Sequence, residues 1–361
     1  MATTPAPTLG PVSSAEPTLA EAMRRQAAAC RSLGSPQYGD LIEALVVDVE
    51  RHGLTHELLA ARPESPLRDA LILRYLAAVH RVVLRGDAPE LGARYPSAGG
   101  DGAAIPVDVF LDTVASFRDE VVDALGRTVQ TNEVGRCASL VPAFAEFSRL
   151  HALPLTMLEI GASGGLISNW DRYSYDSFGS MAGDTSSELR FVDNWIDSFD
   201  LSGLTDVSWR GGCDIAPLDI GDPAARQRLL SFVWPDQTRR FEVLRAALSV
   251  AARHVPAVDA ADAGDWLAST LPHRARGTAT IVFHSIVWQY LPRPTKDRVR
   301  EVLASEGSRA GADNPIAWIR LEPAGEQPDV RMTLWPGGSE RRVAWSSYHG
   351  MEVRRPLADG S

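Results

Sequence analysis

The chain has 361 residues, 45% of them apolar and 23% charged, which suits a folded protein with more than one core. Its net charge of -10 would repel a phosphate backbone, and no basic cluster interleaved with aromatics marks a nucleic-acid surface. No run of about 18 apolar residues is present to span a bilayer, and the opening residues lack the basic-then-apolar order of a secretory signal, so a cytoplasmic protein with a small-molecule partner is expected.

Residues 1–17, rich in Ala, Thr, Pro and Ser and without periodicity, predict a disordered leader. From Thr18 to about Leu150 apolar residues recur at three- and four-residue steps, over 40–49, 66–84 and 107–125, and predict an α-helical domain. Gly and Pro in Ser35-Pro36 and in residues 95–100 punctuate it. All nine tryptophans lie at or beyond Trp170, a composition shift that places a domain boundary near residue 150. Residues 351–361 read as a tail.

Beyond the boundary, short apolar runs alternate with helical segments, the pattern of a parallel sheet covered by helices. Strands are expected at 155–160, 207–213, 257–261, 278–283 and 316–321, with helices over 164–173, 224–253, 263–270 and 297–306 between them. Two more strands, 329–335 and 341–346, flank Pro336-Gly337-Gly338-Ser339, a hairpin turn by composition. The fold class is α/β, a Rossmann-like doubly wound sheet, mostly parallel with a C-terminal antiparallel hairpin and preceded by an α-helical domain.

The first strand runs into Glu159-Ile160-Gly161-Ala162-Ser163-Gly164-Gly165. Small residues there let the backbone turn sharply and approach a ligand, while the following helix offers its N-terminal amides. Tight turns after strands also need glycine for steric reasons alone. His284 is expected at the carboxyl end of a central strand, where an imidazole would face the crevice of a doubly wound sheet and serve as acid or base. Tyr290, Glu322 and His349 are further candidates by position. Asn132, Glu133 and Arg136 either cap the apolar helix after them or line a cleft facing the glycine turn. Trp234, Asp236 and Gln237 suit an interdomain contact or a polar ligand. Three dispersed cysteines, Cys30, Cys137 and Cys213, predict neither a disulfide framework nor a metal site.

The turn resembles the acid-x-Gly-x-small-x-Gly motif of class I S-adenosylmethionine-dependent methyltransferases, matched by Glu159, Gly161, Ser163 and Gly165. The resemblance covers about residues 150–350 and implies S-adenosylmethionine as cofactor. It further implies that Asp214 after the second strand holds the ribose hydroxyls, that Asp262 after the third reaches the adenine amino group, and that the segment from Phe283 to Tyr290 supplies the reaction centre. In this reading His284 takes a proton from the acceptor, with Trp288 or Tyr290 supplying a wall. About fifty residues separate Gly165 from Asp214, more than a βα unit needs, so residues 174–205 are expected as an insertion. Asp193, after a short apolar run, competes with Asp214. The whole chain also resembles the bacterial domain of unknown function 2332 family through Gln130-Thr131-Asn132-Glu133-Val134-Gly135-Arg136, Trp234-Pro235-Asp236-Gln237 and residues 284–291, which implies no activity.

Two rival functions come from the same residues. Gly161-Ala162-Ser163-Gly164-Gly165 also spells G-x-S-x-G, the elbow of serine hydrolases, with Asp313 or Asp329 and His349 following in the required order. A scaffold that kept the fold and lost the cofactor is the other. Neither the methyl acceptor nor the oligomeric state follows from a local pattern, because sequence carries pocket chemistry without pocket shape.

Overall fold

The computed structural model describes residues 17–127 and 129–356. The expected leader lies outside the described residues apart from Pro17, as does the expected tail from residue 357. Two compact units divide the chain, one made of residues up to Val129 with Trp234–Gln237, the other of the remainder.

The first unit is helical, with α1 (Leu19–Ser32), α2 (Pro36–Glu50), α3 (Leu54–Ala60), α4 (Leu71–Leu84), α5 (Pro89–Gly92), α6 (Val107–Ser116) and α7 (Arg118–Leu125). Thr18 and Glu21 form a reciprocal capping box at the start of α1, which satisfies two otherwise orphaned amides. The core is built from the apolar stripes of these helices, with Tyr75 set edge-on to Phe110 at 5.6 Å. The late segment 234–237 belongs to this unit. Trp234 packs on its core, and the Asp236 carboxylate accepts from Ser35 Oγ at 2.5 Å and from the Gln37 amide at 3.1 Å. Ser35 makes no cap bond of its own, so Asp236 caps α2 from 199 residues away in sequence.

The second unit begins with α8 (Cys137–His151) and holds β1 (Leu155–Ile160), β2 (Ser174–Ser177), β3 (Ser180–Gly183), β4 (Arg190–Phe191) and β5 (Val207–Asp214). After them come α9 (Pro223–Ser231), α10 (Thr238–Arg253), β6 (Val258–Ala260), α11 (Ala263–Thr270), β7 (Ala279–Ser285), α12 (Arg293–Ser308), β8 (Ile316–Ala324), β9 (Gln327–Trp335) and β10 (Ser339–Trp345). Seven strands form one mixed, mostly parallel sheet in the order β10-β9-β8-β7-β1-β5-β6. From β1 the chain steps outward to β5 and β6, then crosses back to β7 and β8, and those five strands are parallel. β8, β9 and β10 then meander antiparallel. Strand alternation divides β7 between two layers: Phe283 meets Phe144 of α8, while Val282 joins Val299 and Leu303 of α12 and Leu267 of α11.

Three expectations need adjustment. The helical stretch expected to close the first domain, α8, lies in the sheet unit because its apolar side covers β7 to β10, so the units divide at 129/130 rather than near 150. The helix expected over 224–253 is two helices, since Pro235 cannot continue α9. The helix expected over 164–173 is only a 3-10 turn at Ile167–Arg172. The expected insertion at 174–205 contributes β2, β3 and β4, a separate sheet in which Tyr175 stacks on Phe191 at 5.2 Å. Asp193 follows β4 there, whereas the strand beside β1 is β5, which ends in Asp214.

Candidate functional site

The β1 turn is built of residues with left-handed backbone: φ is 68° at Gly161, 54° at Ser163 and 70° at Gly165. Neighbouring segments hold it closely. The Asp214 carboxylate accepts the Ser163 amide through Oδ2 and the Ala216 amide through Oδ1, both at 2.9 Å. Ser163 Oγ donates to Gln130 Oε1 at 2.8 Å, and the Gln130 amide donates to Ala216 O at 2.9 Å. Asn132 bridges the far side, donating to Ala162 O at 3.0 Å and accepting from the Leu166 amide at 2.8 Å. Asn132 therefore binds the turn rather than capping a helix of its own. A side chain on Gly161 would come within 2.5 Å of Val287, and one on Gly165 within 2.5 Å of Pro256, so both glycines are required by packing as well as by φ.

Glu159, at the end of β1, is buried, and burial pushes its carboxyl up to about 8 against a hydrogen bond from Ser168 Oγ at 2.5 Å. It is mainly neutral at pH 7. Asp262, after β6, caps α11 by accepting from the Gly264 and Asp265 amides, and its other oxygen takes Thr295 Oγ1 at 2.5 Å.

At the ends of β7 and β8 the structure brings His284 and Glu322 together, Nδ1 to Oε1 at 2.6 Å. The same oxygen accepts the Val287 and Trp288 amides at 3.1 Å, so Glu322 pins the chain that leaves β7. His284 is fully buried, its ring stacked on Trp288 at 5.2 Å, and its Nε2 has no partner. The imidazole is thus fixed between Glu322 and Trp288. Tyr290 does not join the pair; it is 73% exposed on the 3-10 turn beyond it.

A second histidine–carboxylate pair lies close by. Glu133 is buried; burial alone would raise its carboxyl, but Arg240, His349 and Arg136 outweigh that and hold it at about 2. His349 Nδ1 lies 3.0 Å from Glu133 Oε2, and Arg240 Nε donates to the same oxygen at 2.9 Å. Arg136 donates to Tyr348 O at 3.0 Å and to Ser285 O at 3.2 Å, tying this cluster to the carboxyl end of β7. Arg240 carries no sequence signal, being one of many arginines on a surface-patterned helix, whereas Glu133 and Arg136 stand out as polar residues just before an apolar helix.

The hydrolase residues are hydrogen-bonded to other partners rather than to one another. Ser163 is bound to Gln130, His349 to Glu133, Asp313 lies beside Arg276, and Asp329 accepts from Arg331 and Arg342. Among the described residues no cluster of three or more metal-ligating side chains occurs, and no helix is long and apolar enough to cross a membrane.

The family described as an uncharacterized protein conserved in bacteria (DUF2332) matches residues 20–355. The chain belongs to this family. The match spans both units, including the Gln130–Arg136 segment on the glycine turn and the His284–Glu322 pair. A comparison with curated proteins finds no match.

Proposed function

We propose that this protein is a methyltransferase-like enzyme that moves a methyl group from S-adenosylmethionine to a small molecule at the carboxyl edge of its main sheet. The observation that carries the reading is Asp214: it ends the strand beside β1 and hydrogen-bonds the turn that follows β1. An acid placed there suits ribose hydroxyls. A carboxylate offers about four acceptor sites, and backbone amides use two of them, so the donor set is compatible with a nucleoside. The outward order of strands from β1, with Asp262 after β6, supports the same reading, since open α/β sheets bind ligands where the strand order reverses.

When bound, S-adenosylmethionine supplies an electrophilic methyl carbon, so the protein's task is mainly alignment and exclusion of water. Asp214 would hold the ribose and Asp262 the adenine. Neutral Glu159 keeps a negative charge from building beneath the turn. His349, partly exposed and oriented by Glu133, is better placed than buried His284 to take a proton from an acceptor. His284 instead holds Glu322, which positions Val287 against Gly161.

Calorimetric titration with S-adenosylmethionine and S-adenosylhomocysteine tests this. Micromolar binding to the wild type that is lost in a folded Asp214→Ala variant is expected; absence of binding to the wild type would sink the reading.

A further inference from the structure

One face of β8 and β9 carries an open cleft of about 530 Å³, within the size range of small-molecule sites. Its walls are mixed: Trp288, Trp318 and Pro323 offer apolar surface, Arg300, Arg320 and Arg331 offer guanidinium groups, and Glu322, Asp329 and Glu340 offer carboxylates. Strand alternation puts Trp318, Arg320 and Glu322 on the same side of β8, and the register sets Arg320 directly opposite Arg331. Like charges in that position repel unless an anion lies between them. Here the anion is Glu340, which accepts from Arg320 and, at 2.9 Å, from Arg331 Nη1.

Glu340 is a poor permanent partner. Its side chain is 40% exposed, and it is the second residue of β10, the edge strand of the sheet. Asp329 is shared between Arg331 and Arg342 at 2.9 and 2.7 Å, so the guanidinium groups of Arg320, Arg331 and Arg342 divide the carboxylates of Glu340 and Asp329. Beneath them Trp318 is only 8% exposed, carries the Arg320 guanidinium 4.0 Å above its ring, and has an Nε1–H with no acceptor. Glu322 lines the cleft too, but its Oε1 is taken by His284 and by the Val287 and Trp288 amides, which hold that carboxylate toward the end of β7. Buried polar atoms without partners are rare in folded proteins, so the free Trp318 Nε1–H marks this face as one whose polar groups are incompletely matched.

We infer that this cleft binds a small organic acid, its carboxylate seated on Arg320 and Arg331 and its apolar body against Trp288 and Trp318. Glu340 occupies the carboxylate position when no acid is bound. The site does not depend on the cofactor reading and stands or falls separately from it.

Calorimetric titration of the full chain with sodium benzoate tests the inference, with benzyl alcohol and inorganic phosphate as comparisons. Saturable benzoate binding at one site, about tenfold tighter than either comparison, is expected from charge-assisted paired hydrogen bonds plus apolar contact. Arg320→Gln should abolish it. Glu340→Gln should instead tighten it about tenfold, because the competing carboxylate is gone, and a gain of affinity cannot come from misfolding. Absence of saturable benzoate binding to both the wild type and Glu340→Gln overturns the inference. So does equal affinity for benzyl alcohol, binding of phosphate alone, or weaker benzoate binding in Glu340→Gln.

Discussion

At the ends of β1, β5 and β6 the polar side chains are held by the chain's own backbone, whereas along β7 and β8 several buried polar atoms have no partner. Asp214 and Asp262 each accept two backbone amides, and Asn132 and Gln130 clamp the glycine turn between them. Across the sheet, His284 Nε2, Thr280 Oγ1, Trp318 Nε1 and Glu322 Oε2 are buried and unpartnered. The first region is arranged for rigidity; the second carries a stability cost. An unmade bond at a buried donor costs about 1–3 kcal/mol, so the contrast is large on the scale of a domain's net stability.

The strongest way to break the contrast is at Glu133, the anion that compensates the guanidinium groups beside the well-satisfied turn. Glu133→Ala leaves Arg240 and Arg136 without it, and a loss of about 3–5 kcal/mol is expected in urea unfolding. Because the folded value of about 2 lies below the ordinary 4.5, the contribution of Glu133 is complete above pH 4.5 and is lost as pH falls toward 2. Wild-type stability should show that acid limb and Glu133→Gln should lack it.

Glu159 gives the opposite sign. Its folded value of about 8 lies above 4.5, so the folded state keeps a proton that the unfolded state releases, and stability should fall as pH rises from 4.5 to 8. Glu159→Gln should remove that decline, making the variant more stable than the wild type at pH 8. A variant whose pH profile parallels the wild type would show that Glu159 is not held neutral.

A smaller effect is expected at Asp214, where Asp214→Ala frees two turn amides and should cost about 1–3 kcal/mol in addition to any loss of nucleoside binding. The smallest test compares two buried threonines. Thr156 Oγ1 is bonded to Thr278 Oγ1 at 3.2 Å, while Thr280 Oγ1 has no partner. Thr156→Val should lower stability by about 1 kcal/mol, and Thr280→Val should raise it by a similar amount, read from thermal unfolding. Equal losses at both positions would show that Thr280 Oγ1 is not an unmade bond.

Part of the second unit is legible in the sequence because its central strands β1 and β7 are buried on both faces and so appear as mainly apolar runs. The strand at 155–160 and the helix at 263–270 are found where the pattern places them. The lengths of other elements differ because packing, not pattern, ends them: β7 continues through His284 and Ser285, polar residues that a hydrophobicity reading excludes, since neighbouring β8 supplies their backbone partners. The pairing of His284 with Glu322 joins two positions 38 residues apart that the sequence marks separately, each at the end of a strand.

What the sequence by itself determined is the class of this protein: helices first, then a mostly parallel sheet with a glycine turn after its first strand, because hydrophobic period and turn chemistry act over a few residues. What the tertiary structure decided is which polar groups meet. Asp214 rather than Asp193 lies beside β1, Asp236 returns to cap α2, Arg240 and His349 share Glu133, and Glu340 lies between two arginines. Those pairings join residues distant in the chain, and only closing the sheet and packing its helices brings their charges within hydrogen-bond reach.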